Sequence, residues 1–171
     1  MEYVDLLRYG DIKRPTENYA VGDLVPSDGV VGIVYYASDD IVRIMSVEET
    51  IAQWSTYPCN TYFNGLRKMG RIKLYENWEE RFPAFKWYAD LGDNWYLPTI
   101  NELCAIYKIK DTLNATLSAN GYEILSGCYW SSTEYSDNYA YGLTFSNGYW
   151  CDYSKGYSYY VRGALAFQLT I

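Results

Sequence analysis

The segment from residue 129 to residue 160 has the residue types of a recognition surface. It holds nine of the chain's 21 tyrosines, interleaved mainly with serine, glycine, asparagine and aspartate. Tyrosine supplies rigid, amphipathic contact area at a low cost in side-chain entropy, and the small polar residues supply adaptable hydrogen bonds. The chemistry that this composition indicates is non-covalent binding.

Two sets of residues alternate within this segment. The frame residues, as we name the first set, are Ala140, Tyr141, Leu143, Phe145, Gly148, Trp150 and Lys155. The second set, the seventeen positions, uses only seven residue types: Ser136, Asp137, Asn138, Tyr139, Gly142, Thr144, Ser146, Asn147, Tyr149, Cys151, Asp152, Tyr153, Ser154, Gly156, Tyr157, Ser158 and Tyr159. We expect the frame, including Trp150, to pack in the core and the seventeen positions to lie on the surface.

The seven residue types of the second set share a property of the genetic code. Asn, Asp, Ser, Thr, Tyr, Gly and Cys are all reached from one asparagine codon by changing its adenines. Glu, Gln, Lys, Met and Trp are not reached in this way, and none of them occurs at the seventeen positions. The pattern is consistent with a coding region in which adenines have been replaced.

Residues for catalysis or metal binding are sparse. The chain has no histidine, which removes the commonest general base and metal ligand. Its four cysteines match no zinc or redox spacing; they fit small buried or incidental surface thiols, with one disulfide left open. The adjacent carboxylates Glu48-Glu49 and Glu79-Glu80 are expected to be solvated. We therefore expect no enzyme activity, no metal and no cofactor.

Composition limits the partners. The chain has 171 residues, 49% of them hydrophobic, and a net charge of −7, which is typical of a folded domain that does not bind nucleic acid. No apolar run is long enough to span a bilayer, and MEYVDLLRYG lacks the basic start and apolar run of a signal peptide. A protein or glycan ligand is the expectation that remains.

The residue patterns predict an opening β region followed by helices. Strands are expected at 21–25, 29–37 and 41–46, with a hairpin turn at Ser38-Asp39-Asp40. A first helix is expected to begin at Pro83 and end near Gly92. Thr99 and Glu102 have the spacing of a capping box that starts a second helix, and a third helix is expected at 112–119.

The carboxyl end is predicted to be one strand. Val161, Gly163, Leu165, Phe167, Leu169 and Ile171 alternate with more polar or smaller residues, which is typical of a strand with one buried face. The resulting fold class is α+β: two main helices packed on small antiparallel sheets, with the N- and C-terminal strands paired. Residues 1–20 are expected to be a lead-in or linker, and residues 21–171 the ligand-binding domain.

Several short motifs together resemble a bacterial domain family with the C-type lectin fold. The motifs are Pro83-Ala84-Phe85-Lys86-Trp87, Leu91-Gly92, Trp95-Tyr96-Leu97-Pro98, Asn101-Glu102-Leu103, Tyr129-Trp130-Ser131-Ser132-Thr133-Glu134 and Tyr160-Val161-Arg162 leading to Phe167. Several members of that family are the variable proteins of diversity-generating retroelements. The resemblance covers about residues 21–171.

The resemblance implies a function for the tyrosine-rich segment. In such proteins an error-prone reverse transcriptase rewrites adenines in a repeat near the carboxyl terminus, and the fold displays the altered side chains for ligand binding. A variable region at about 129–167 would lie at that place here, and the seventeen positions would be the displayed set. Tyr149, Tyr153, Tyr157 and Tyr159 would be the main anchors, on a bacterial cell surface or a phage particle.

Other classes stay open at this point. A calcium-dependent lectin would share the fold, but its Glu-Pro-Asn-like and Trp-Asn-Asp triplets are absent, whereas stacking of sugars on Tyr or Trp needs no calcium. Formylglycine-generating oxidases share the topology and use paired cysteines, for which Cys128 and Cys151 are the candidates. A fimbrial or adhesin domain with a fixed surface, or a subunit contact made by the tyrosines, are the remaining alternatives.

Overall fold

The computed structural model describes residues 18–27, 29–59 and 65–169. Most of the predicted lead-in, residues 1–17, and the predicted strand residue Ile171 lie outside these ranges. Tyr19 is buried, and its ring contacts that of Phe167 edge to face at 5.8 Å between centroids. The folded unit therefore includes Tyr19.

The described chain is a mixed α+β structure with helices between two groups of strands. Its elements in chain order are β1 (Leu24–Ser27), β2 (Val30–Ala37), β3 (Ile41–Ser46), β4 (Thr50–Gln53), α1 (Gly65–Ile72), α2 (Trp78–Arg81), α3 (Pro83–Ala89), α4 (Ile100–Lys108), α5 (Lys110–Ala119), β5 (Cys128–Glu134), β6 (Tyr139–Thr144), β7 (Trp150–Ser154), β8 (Ser158–Val161) and β9 (Ala164–Gln168). None of these helices is long and apolar enough to cross a membrane.

The first sheet joins the two ends of the described chain. Its strand order is β1-β2-β3-β9, and all its pairs are antiparallel. The predicted turn between β2 and β3 is confirmed, with the Ser38 amide donating to the Ile41 carbonyl at 2.9 Å. The C-terminal strand pairs with β3 and not with β1. The first and last strands therefore share a sheet but lie at its opposite edges, which corrects the predicted direct pairing.

The second sheet carries the tyrosine-rich segment. Its strand order is β4-β8-β5-β6-β7; β5 and β8 are parallel and the other pairs antiparallel. One face packs through Trp130 and Ala140 against the aromatic residues of α3. The other packs through Tyr129 and Leu143 against α4 and α5. With helices over both faces, the sheet is held rigidly at its centre.

The predicted single C-terminal strand is wrong. The chain leaves the second sheet after β8, passes Arg162 and Gly163, and enters the first sheet as β9. Arg162 and Ala164 were expected on the exposed face but are buried. Arg162 is buried because Glu49 and the backbone carbonyls of Ser46 and Glu123 satisfy its guanidinium. The predicted alternation of buried and exposed side chains therefore holds only from Leu165 onward.

The helices begin largely where the sequence indicates. Proline occupies the first turn of α3, which ends at Ala89, ahead of Gly92. The Thr99 hydroxyl accepts from the Glu102 amide and the Glu102 carboxylate accepts from the Thr99 amide, so the capping box is confirmed. Helix α5 begins at Lys110, earlier than predicted, and α1 was not predicted.

Candidate ligand-binding surface

The hairpin of β6 and β7 forms the centre of the candidate surface. Its turn is set by Gly148, whose φ of 76° favours glycine and whose amide donates to the Thr144 carbonyl at 2.8 Å. The Asn147 side chain accepts from the Tyr149 amide at 2.9 Å. These local bonds fix the register Leu143↔Trp150, which decides the face that each following side chain occupies.

Most of the seventeen positions are accessible. All of them except Gly142 are half-buried or exposed, and Tyr149 and Tyr157 are among the most exposed, at 60% and 59%. Gly142, predicted on an exposed face, is buried because β6 lies between β5 and β7. A Cβ at Gly142 would lie 3.1 Å from the Tyr129 carbonyl oxygen and 3.2 Å from a ring carbon of Tyr153.

The frame is mainly core, with one clear exception. Ala140, Leu143, Phe145 and Lys155 are buried, and Tyr141 and Gly148 are half-buried. Trp150 was predicted to pack beneath the tyrosines but is 51% exposed. It lies opposite Leu143 on the edge strand β7, where no further described strand covers its outer side.

The seventeen positions do not form one patch, because they divide between the two faces of the hairpin. Directly paired residues place their side chains on the same face. Tyr139 and Ser154 share one face with Asp152, whereas Tyr153 and Cys151 share the other with Gly142. Ser146 and Asn147 lie at the turn, and five strand residues, about 16 Å of strand, separate that end of β7 from the loop at residues 136–138.

The face that carries Tyr153 and Gly142 has a cluster of tyrosines over a buried tryptophan. The ring of Tyr159 lies 5.0 Å from those of Trp130 and Tyr153, both edge to face, and Tyr157 continues the cluster at 6.3 Å from Tyr159. Tyr153 and Tyr159 are half-buried, so their inner edges are held by the core. Burial raises the pKa of both phenols, which keeps them neutral hydrogen-bonding groups at physiological pH.

The opposite face carries a row of three aromatic rings. Tyr141 lies at its centre, 5.8 Å from Tyr135 and 5.4 Å from Trp150, with both contacts edge to face. Tyr135 is 61% exposed. The four residues that follow it, Ser136 to Tyr139, were all assigned from the sequence, whereas Tyr135 was not. Tyr135 directly precedes Ser136, the first of the seventeen positions. A tyrosine at that place in the sequence could have been included in the predicted surface on its residue type.

A buried charge network supports the loop before β6. Lys155 is 3% exposed; its ammonium donates to the Glu134 carboxylate at 2.7 Å and to the carbonyls of Cys59 and Asp137. Lys68 pairs with the other oxygen of Glu134, and both ammonium groups lie over the Trp54 ring. Lys155 thus joins the segment at Cys59, the end of β5 at Glu134 and the loop at Asp137, and it fixes the position of Asp137.

The pKa values in this network follow from burial and pairing. Burial disfavours the charged ammonium of Lys68 and lowers its pKa to about 8, although Glu134 opposes this shift. Burial also disfavours the Glu134 carboxylate, but the charges of Lys68 and Lys155 outweigh it and hold the pKa of that carboxyl below its usual value. At neutral pH Lys68 and Glu134 are therefore both charged.

Residues from outside the tyrosine-rich segment border the surface. Gln53 donates to the Gly156 carbonyl at 2.8 Å, and the Cys59 amide donates to the Asp137 carbonyl at 3.0 Å. Tyr57 lies between these anchor points in sequence and is exposed. No local pattern indicates Tyr57 as a neighbour of this surface, because the two bonds join residues about eighty to a hundred positions apart.

Glu49 was expected to be solvated, and this expectation is wrong. Its carboxylate accepts from Arg162 at 2.8 Å and from the Tyr129 hydroxyl at 2.6 Å. Because it partners a buried guanidinium, it holds the chain where β8 leaves the second sheet. Glu49 therefore has a structural role, and its side chain lies behind the candidate surface.

The cysteines proposed as a catalytic pair do not meet. Cys128 is on β5 and Cys151 on β7, with β6 between them. Two strand spacings of about 4.8 Å each exceed the reach of a disulfide. All four cysteines of the chain are free thiols. Burial raises the pKa of Cys128, which disfavours the reactive thiolate.

Comparison with known proteins gives a match in structure and none in sequence. No protein-family model matches the chain, and no curated protein matches it. The crystal structure of a fimbrial protein from Bacteroides ovatus ATCC 8483 is similar, with a TM-score of 0.59 at 19% sequence identity. The match covers 74% of this chain and 36% of that one, so this chain corresponds to little more than a third of that protein. At this identity the similarity concerns the fold.

Proposed function

We propose that this chain is a ligand-binding domain of an adhesin or surface receptor, and that the seventeen positions together with their aromatic neighbours form its binding surfaces on the two faces of the hairpin. The observation that supports this proposal is the contrast in burial within one hairpin. Ala140, Leu143 and Phe145 are buried, whereas Tyr139, Tyr149 and Tyr157 project into solvent. Exposed aromatic groups on a rigid scaffold lose little entropy on binding, which makes them effective anchors.

The proposed fold at finer detail is C-type lectin-like. In its support, the two ends of the described chain meet in one sheet, and the second sheet carries the tyrosine-rich segment between two helix layers. The similar solved structure is that of a fimbrial protein, which favours an adhesin with a fixed surface and a location on a bacterial cell surface. Diversification by a retroelement is the alternative origin, with a phage particle as a further location.

The nucleotide sequence around the gene separates these two origins. Diversification predicts a near-copy of the coding region for residues 129–167 beside a reverse-transcriptase gene, differing from it only at adenines. Without such a repeat, the diversified origin is wrong and the fixed adhesin remains. Gly142 supports a fixed residue at its own position, because a Cβ there would make tight contacts of 3.1 Å with the Tyr129 carbonyl oxygen and 3.2 Å with the Tyr153 ring.

A selection experiment tests binding itself. The chain would be screened against arrays of glycans and of surface proteins, and each hit compared with the variant Tyr149→Ala/Tyr153→Ala/Tyr157→Ala. We expect that variant to lose at least tenfold in affinity, because exposed aromatic anchors dominate binding energies. Tyr36→Ala, which removes a similarly exposed tyrosine from the first sheet, serves as the control. Equal binding by the triple variant would refute the proposal.

We further propose that the chain has no catalytic activity. The proposal is supported by the separation of Cys128 and Cys151 across β6 and by the raised pKa of the Cys128 thiol. An assay for oxidation of cysteine-containing peptides to formylglycine tests this directly. Turnover that is lost in Cys128→Ser would contradict it.

A further inference from the structure

The aromatic row formed by Tyr135, Tyr141 and Trp150 is a surface that the sequence did not assign. Its two outer rings are more than half exposed, and edge-to-face contacts with Tyr141 hold them. Tyr141 and Trp150 are frame residues and Tyr135 lies outside the seventeen positions. The row is therefore separate from the tyrosine cluster around Tyr159 on the other face of the hairpin.

The charges beside this row are negative. Asp152 pairs directly with Tyr141 across the hairpin, so its carboxylate shares the face of the row. Within the described part of the chain no ion pair involves Asp152 or Asp137. The nearby ammonium of Lys155 is buried and paired with Glu134. Lys110 of α5, on the same side of the sheet, donates to the Phe145 carbonyl at 2.8 Å and lies over the Tyr107 ring. The charge directly beside Tyr141 is therefore the acidic one of Asp152, in a chain whose net charge is −7.

The backbone beside the row is also open to a partner. Among the residues that the structure describes, β7 is the last strand of its sheet. The Thr144 amide donates to the Tyr149 carbonyl and the Lys155 amide donates to the Asn138 carbonyl. By the alternation of an antiparallel ladder, the backbone groups of Trp150 and Asp152 then point away from β6. An edge of this kind can accept an added strand.

We propose that this face binds an extended, positively charged polypeptide segment that pairs with β7 and places an arginine or lysine between Trp150 and Asp152. The proposal rests on the proposed function and names its partner class. In an antiparallel pair, the residue directly opposite Asp152 exchanges both backbone bonds with it and projects on the same face. Its cation meets the exposed Trp150 ring and the Asp152 carboxylate, which accepts a weak bond from the Cys151 thiol at 3.6 Å but forms no ion pair within the described part of the chain.

The open backbone favours a polypeptide over a glycan as the occupant. A sugar can stack on the aromatic row, but it offers no ladder of amide and carbonyl groups for Trp150 and Asp152. A neutral sugar also leaves the Asp152 carboxylate without a counter-charge. An alternating peptide with basic residues on one face complements the rings, the carboxylate and the backbone together.

Nuclear magnetic resonance titration of the isotopically labelled chain tests the proposal. The probe is a capped hexapeptide of alternating threonine and arginine, whose arginines all project from one face. We expect it to shift the Trp150 indole resonance and the amides of residues 150–154. Replacing arginine by neutral citrulline is expected to weaken binding about fivefold or more. Methylating the arginine backbone nitrogens is expected to weaken it similarly, because the ladder bonds are lost.

Two variants make the test specific. Asp152→Asn keeps the shape of the side chain and is expected to weaken the arginine peptide several-fold while leaving the citrulline peptide unchanged. Asp111→Asn, an exposed carboxylate on α5, is the control and should change neither. Equal affinity for both peptides, or shifts confined to the other face of the hairpin, would overturn the proposal. Shifts at the row caused by sugars and not by peptides would overturn it as well.

Failure of this inference is distinguishable from failure of the proposed function. Suppose that a ligand found by array screening no longer binds the variant lacking Tyr149, Tyr153 and Tyr157 but still binds Asp152→Asn with unchanged affinity. That result supports the proposed function and rejects the cationic partner. A ligand unaffected by all four substitutions rejects both.

Discussion

Single residues set the electrostatics behind the binding surface, and Lys68 is the clearest case. Its ammonium is fully buried, shares Glu134 with Lys155 and has a pKa of about 8, below the usual value for lysine near 10.4. At this one group the unfolded chain binds more protons than the folded chain between about pH 8 and pH 10, so the contribution of Lys68 to stability rises with pH over that window. Burial raises the pKa of the Cys59 and Cys128 thiols, which acts in the opposite direction, so the contribution of Lys68 is read as a difference between two chains.

We expect the free energy of unfolding to gain about 1 to 2 kcal/mol from Lys68 between pH 8 and pH 9.5. Urea unfolding at several pH values, followed by tryptophan fluorescence, measures this gain. In Lys68→Met the titrating group is absent while Lys155 still pairs with Glu134, so the difference between the two chains isolates it. Parallel pH profiles for both chains would show that the buried ammonium does not titrate in this range.

Trp150 and Phe145 lie near the two ends of the same hairpin turn but differ in burial. Phe145 is fully buried and Trp150 is half exposed. We expect Phe145→Ala to lower the free energy of unfolding by about 3 to 5 kcal/mol and Trp150→Ala by about 1 kcal/mol or less, because surface truncations leave no cavity. Chemical denaturation of both variants measures the contrast. A loss at Trp150 as large as that at Phe145 would place the tryptophan in the core.

At the scale of elements, the position of a strand in its sheet decides which residues can vary. Gly142 lies on the inner strand β6, where a Cβ would meet the Tyr129 carbonyl, the Cys128 sulfur and the Tyr153 ring. Gly156 lies in the turn between β7 and β8, where the nearest atom is 3.8 Å away. The same residue type therefore has different tolerance at the two positions.

Serine substitutions measure this difference. We expect Gly142→Ser to cost about 1 to 3 kcal/mol through overpacking and Gly156→Ser to change the free energy of unfolding by less than about 0.5 kcal/mol. Thermal and urea unfolding of the two variants provide the comparison. If Gly142→Ser were neutral, the inner strand would be able to display side chains, and all seventeen positions would be open to change.

At the scale of the whole molecule, Arg162 joins the two sheets. It is buried where the chain passes from β8 to β9 and donates to Glu49 and to the carbonyls of Ser46 and Glu123. These partners come from segments before and after the helices. Together with the bonds between Ser46 and Gly163, this side chain ties the two sheets and sets the orientation of the second sheet.

We expect Arg162→Met to lower the free energy of unfolding by about 3 to 5 kcal/mol, because it leaves the half-buried Glu49 carboxylate without its cation. Lys108→Met, which removes an exposed cation on α4, should change it by less than about 0.5 kcal/mol. Denaturant midpoints for the two variants test the expectation. Equal small effects would mean that the sheets are joined by apolar packing alone.

The sequence by itself determined the features that depend on neighbouring residues. The β2–β3 turn follows from Ser38-Asp39-Asp40 and the start of α4 from the spacing of Thr99 and Glu102, since both are closed by bonds within a few residues. The division of residues 136–159 into an exposed set and a mainly buried frame also follows from residue type, because apolar side chains leave water wherever the strand allows it. The α+β class follows from the same local patterns.

Tertiary structure alone decided the features that depend on strand order. Trp150 is exposed and Gly142 is buried because β7 is an edge strand and β6 an inner one, and no local pattern encodes that order. The break at Arg162 and the role of Glu49 come from a pairing between residues far apart in the chain. Alternation assigns side chains to two faces but does not say which face is covered. The aromatic row beside Asp152 exists only because distant helices cover the centre of the sheet and leave its edge open.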